Sequence, residues 1–122
     1  MSAARVYLDY VWDMLVSSEK ATSFVAGMGY EQFTRDEKTV YAVIRALEII
    51  GEASKKIPDD LRNAYPEIPW REIGGTRDKL IHEYFGVNLT VVWRTVMEDL
   101  PVLSEQLRTL LQDFAYKAED DL

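Results

Sequence analysis

A chain of 122 residues with 48% hydrophobic content fits one globular domain with a single core, and the absence of cysteine excludes disulfides, a thiol nucleophile and a thiolate metal site. The net charge of −7 argues against a strong phosphate binder, yet it is unevenly placed: residues 98–122 hold seven acids against two bases, whereas residues 35–97 hold ten of each. No apolar run approaches the roughly 20 residues that span a bilayer and no leader pattern opens the chain, so a cytoplasmic protein without a membrane partner is expected.

Leu8, Val11, Trp12 and Leu15 fall at the i, i+3, i+4, i+7 spacing of an amphipathic helix, with Phe24, Val25 and Met28 continuing it until Gly27-Met-Gly29 supplies a stop. A short linker should follow. Thr34-Arg35-Asp36-Glu37 matches a capping box, the threonine hydroxyl accepting from an amide three residues on while the glutamate reaches back, so a second helix is expected to start there. Val40, Val43, Ile44, Leu47 and Ile50 form its core stripe. Tyr41, Arg45 and Ile49 form a second, partly apolar stripe, which suits a partner beyond the core.

Pro58 ends that helix, and Asp59 to Arg62 reads as a short helical turn before Pro66 and Pro69. Pro69 suits the first turn of a helix through Trp70 and Ile73, where Gly74-Gly75 should mark a bend or a close approach. Asn88 can cap a further helix carrying Leu89, Val92, Trp93 and Val96, with Asp99-Leu100-Pro101 kinking or restarting it. Leu103, Leu107, Leu110, Leu111 and Phe114 complete the last one. No segment alternates as a strand would. The expectation is an all-α bundle of four or five helices over residues 1–122, with an acidic end from 115 to 122 prone to fray.

One segment carries chemistry. Cleaving RNA near neutral pH without a metal requires a base for the ribose 2'-hydroxyl, an acid for the leaving 5'-oxygen and a fixed positive charge on the phosphate. A histidine titrating near neutrality and an arginine offering two donors meet those needs. His82 is the sole histidine, HExxH and EF-hand spacings are absent, and Arg77 lies five residues before it, so metal-independent chemistry with no cofactor is expected. On a regular helix five residues turn through about 140° net, so one copy of the pair diverges. Either the helix is distorted or a two-fold partner completes the cleft.

Arg77-Asp78-Lys79-Leu80-Ile81-His82-Glu83-Tyr84 matches the RX4HXY motif of the HEPN superfamily. Residues Val43 to Ala53, Tyr65 to Ile73, and Val92-Trp93 followed by Glu98-Asp99-Leu100-Pro101 resemble HepT-type toxins more closely, and the likeness runs from about residue 5 to 114. The resemblance implies a homodimeric HEPN-type endoribonuclease acting on RNA rather than DNA, with Arg77 and His82 catalytic and Asp78 orienting them. It also implies a toxin–antitoxin pair of type II-like organisation. The partner would be an MntA-like nucleotidyltransferase antitoxin that transfers AMP from ATP to the motif tyrosine, which is Tyr84 here.

Arg45, Arg71, Lys79 and Arg94 are candidates for an RNA groove, although scattered bases on helices more often form solvated faces. Trp12, Trp70 and Trp93 fall within apolar periodicity and read as core, not base-stacking platforms. The competing reading of the whole chain is a non-catalytic helical subunit that presents RNA or nucleotide to a nucleotidyltransferase.

Overall fold

A computed structural model describes residues 3–75 and 88–118, with side chains from Val6 onward. Its elements are α1 (Ala3–Phe24), α2 (Tyr30–Arg35), α3 (Glu37–Ser54), α4 (Asp59–Ala64), a helical stretch at 70–75, α5 (Leu89–Arg94), a π-helical turn (Thr95–Asp99) and α6 (Leu100–Asp113). There is no strand among the described residues, and the fold is an all-α bundle, as expected. No helix among them is long and apolar enough to cross a membrane.

The long α1 packs along both α3 and α6. Its stripe buries Leu8, Val11, Met14 and Leu15, which meet Val43, Leu47 and Ile50 of α3 and Leu103, Leu107 and Leu110 of α6 in one core. Val11, Met14, Val43, Leu107 and Leu110 are completely removed from solvent, each contributing roughly 1.5–3 kcal/mol of transfer free energy. One polar bridge crosses this core, where Ser18 and Ser104 share a hydrogen bond of 2.7 Å and Ser18 Oγ also donates to the Leu100 carbonyl at 3.3 Å. Pairing both hydroxyls removes the cost of burying them unpaired.

Helix α1 ends where Gly27 takes φ +80°, as its lack of a Cβ allows. The expected linker beyond it is instead the short helix α2, which places Phe33 wholly in the core. That moves the start of α3. Its N-cap is Asp36, whose side chain accepts from the Thr39 amide at 3.1 Å, while Thr34, expected as the cap, lies inside α2 and donates to the Glu31 carbonyl.

The restart expected at Asp99-Leu100-Pro101 is a π-turn running into α6. In a continuous α-helix the Pro101 ring would clash with the Met97 carbonyl four residues back, and the wider turn over Thr95–Asp99 makes room for it. Phe114, expected in the core stripe, is the exposed C-cap. Ala115 follows with φ +51°, and bonds from Ala115 N to Gln112 O and Tyr116 N to Leu111 O close a Schellman motif. The chain is therefore held past 115, where fraying was expected: Tyr116 packs on Trp12 and donates to Asp9, and Ala118 is buried.

Candidate functional site

Arg77, Asp78, Lys79, His82 and Tyr84 lie outside the described residues. The structure describes the ground on either side of them. Upstream, residues 70–75 are helical, and Trp70 and Ile73 are buried. Trp70 Nε1 donates to the Tyr65 carbonyl at 3.0 Å, and the Ile73 amide donates to the Pro69 carbonyl. Arg62 ties this stretch to the rest. Its Nε and Nη2 donate to the Ile57 and Ser54 carbonyls at 2.9 and 2.7 Å, and its guanidinium lies 6.0 Å from the centre of the Trp70 ring. One planar cation thus satisfies carbonyls at the C-terminal end of α3 while stacking on the first residue of the helical stretch.

The stretch is helical through Gly74-Gly75, and the continuation in which a bend at this pair would show lies outside the described residues. A Cβ built at Gly74 would stand 3.7 Å from Ser54 Oγ, an ordinary contact, so no close approach by a described residue demands glycine there. Tyr65 supplies a further anchor by donating to Asp113 Oδ2 at 2.6 Å. Burial, the hydrogen bond to Asp113 and the negative charges of Asp113 and Glu67 push its phenol up to about 12.

Downstream, Asn88 caps α5 as expected, its side-chain oxygen accepting from the Thr90 and Val91 amides at 3.0 and 3.3 Å. Tyr30 binds the Thr90 hydroxyl at 2.8 Å and meets Trp93 edge-on, with the ring centres 6.1 Å apart. Phe33 packs on the same indole at 5.3 Å. Helix α2, absent from the sequence reading, is thus the support for the beginning of α5. All three tryptophans belong to the core or pack against it.

Of the proposed RNA contacts, Lys79 falls outside the described residues, and Arg45, Arg71 and Arg94 are exposed on α3, the stretch 70–75 and α5. Arg94 lies 3.7 Å from Glu98 in a pair about two-thirds exposed on both sides, which water leaves weak. Among the described residues no three carboxylate or histidine donors converge closely enough to hold a metal ion.

A groove of about 340 Å³ opens between α3, the segment 67–73 and the π-turn with α6. Leu47, Ile50, Ile73, Leu100 and Leu103 give it an apolar floor, and Glu67, Glu72, Glu98 and Asp99 are its charged residues among those described. Sequence reasoning missed this groove. Its only local signal was the pair Glu98-Asp99 ahead of Pro101, which acquires meaning once the π-turn is known.

The family model described as "Ribonuclease HepT-like" matches residues 14–110. A protein of Thermococcus cleftensis named a probable ribonuclease HepT is 51% identical, over 87% of this chain and 96% of its own length. A Methanocaldococcus jannaschii protein named as a candidate RNase is 42% identical over 93% of each chain. A similarly named protein of Caldanaerobacter subterraneus is also 42% identical, over 92% of this chain and 97% of its own. No solved structure matches.

Proposed function

The chain belongs to the HepT-like ribonuclease family, and we propose that it cleaves RNA at a cleft built from the motif Arg77 to Tyr84 of two identical protomers, without a metal. The observation that carries this reading is that the family match, residues 14–110, contains the whole motif intact within a chain possessing no other histidine. His82 of one protomer removes the 2'-hydroxyl proton, the 2'-oxygen attacks phosphorus, and the bond to the 5'-oxygen breaks as that oxygen takes a proton from the protonated His82 of the partner subunit. Arg77 holds the phosphate through its two donors, and Asp78 orients the pair. The products are a 2',3'-cyclic phosphate and a 5'-hydroxyl.

Two protomers are invoked because five residues on a helix diverge by about 140°, so one copy does not converge by itself. The stripe Tyr41, Arg45 and Ile49 on α3 supports pairing: Tyr41 is 60% exposed, far more than the core stripe beside it. Tyr84 takes the role of an off-switch. A nucleotidyltransferase antitoxin of the MntA type transfers AMP from ATP to its hydroxyl, forming a phosphodiester and releasing pyrophosphate. The added negative charge and bulk sit two residues from His82, where substrate phosphate must enter.

A single assay tests the reading. The purified chain should cut RNA in EDTA to cyclic-phosphate ends, and His82→Ala should lose at least about a hundredfold in rate, the usual worth of a general acid–base group. Incubation with the nucleotidyltransferase and ATP should silence the wild type but leave Tyr84→Phe active. Cleavage abolished by EDTA, or undiminished in His82→Ala, would overturn it.

A further inference from the structure

The groove beside residues 67–73 combines features that neither RNA nor a second copy of the chain satisfies. Its floor is apolar, and among the described residues the charged groups lining it, Glu67, Glu72, Glu98 and Asp99, are all acidic. Nucleic acid would set phosphates against carboxylates, and a second copy seated on this face across a two-fold axis would oppose acid to acid. Both Glu98 and Asp99 of the π-turn reach this groove.

The apolar surface continues beyond the groove. Val102 is 58% exposed on its bank, and Val91, whose carbonyl accepts from the Thr95 hydroxyl one turn later, is 43% exposed. From Val91 through Thr95, Asp99 and Val102 to Gln106, a face of mixed apolar and polar residues extends for roughly 20 Å at the helical rise. That length suits an extended segment better than a compact small molecule.

We propose that this groove is a docking site for a cationic amphipathic helix of a protein partner, with apolar side chains spaced i, i+3/i+4, i+7 on the floor and lysine or arginine flanks facing Glu67, Glu98 and Asp99. Occupancy of the groove does not depend on RNA cleavage.

The probe is a fluorescein-labelled synthetic helix with leucines on one face and lysines elsewhere, titrated with the full chain and followed by anisotropy. It should bind, whereas the same peptide with glutamate for lysine, or serine for leucine, should not. Glu98→Gln/Asp99→Asn should weaken binding about tenfold, the scale of losing close interfacial charge pairs. Asp59→Asn/Asp60→Asn, an equal charge change on α4, should alter it less than about twofold. Val102→Asp, at an exposed position that leaves the core intact, should also weaken it, and circular dichroism should show every variant folded. Equal weakening by the two charge-neutralised variants would reduce the effect to general attraction and overturn the proposal. Failure of the lysine peptide to bind, or a groove variant that shifts the chain between monomer and dimer, would overturn it as well.

Discussion

Tyr65 shows how a single side chain couples protonation to the frame of the candidate site. Its carbonyl receives the Trp70 indole, and its hydroxyl holds the acidic end of α6 through Asp113. With the phenol pushed up to about 12 from an ordinary value near 10, the folded chain retains a proton that the unfolded chain releases first. Stability from this contact is therefore complete below pH 10 and disappears as pH rises from about 10 through about 12. Tyrosinate absorbance should show a phenol ionising toward pH 12, and Tyr65→Phe should reduce that late step by one tyrosine. In urea titrations the variant's stability should also fall less steeply over this window than the wild type's. A Tyr65→Phe chain whose alkaline profile matches the wild type would show that the Asp113 contact is not maintained in solution.

The two possible starts of α3 are a contest between elements. Thr34 with Glu37 satisfies the capping-box spacing, but Phe33 must reach the core beside Trp93, and the short helix that carries it there absorbs Thr34 as an interior residue. Asp36 then becomes the first residue able to cap, and its carboxylate also suits the positive end of α3. Asp36→Ala should lower stability by about 1 kcal/mol, whereas Thr34→Ala should change it by less than about 0.5, measured by urea denaturation. The reverse ranking would restore the capping box at Thr34. The same contest explains what could be read in advance. The 3.6-residue stripes of α1, α3 and α6 were visible because local periodicity and tertiary burial agree there, and Asn88 was visible because its cap is entirely local. Helix α2 was not, because one buried aromatic directs six residues. Nor was the convergence of Glu67, Glu72, Glu98 and Asp99 on one groove, which needs segments distant in the chain to meet. The motif itself was legible as spacing, and the orientation of Arg77 toward His82 lies outside the described residues.

At the scale of the whole molecule, the proposed cleft separates two architectures that differ in a measurable way. If each protomer held a complete site, diluting active chains among inactive ones would leave the rate per active chain unchanged. If Arg77 and His82 of both protomers line one cleft, a mixed pair lacks one histidine, and the missing acid or base stops the reaction. Co-refolding the wild type with a tenfold excess of His82→Ala should therefore lower cleavage per wild-type chain about tenfold, following the fraction of wild-type pairs that remain. The α3 stripe supplies the control. Tyr41 is 60% exposed, so Tyr41→Asp leaves the core of each protomer intact while placing a charge where the apolar stripes would meet. A Tyr41→Asp/His82→Ala double variant in the same excess should then fail to pair and fail to inhibit. Inhibition by both variants would locate the shared surface away from α3, and inhibition by neither would return the active site to a single protomer.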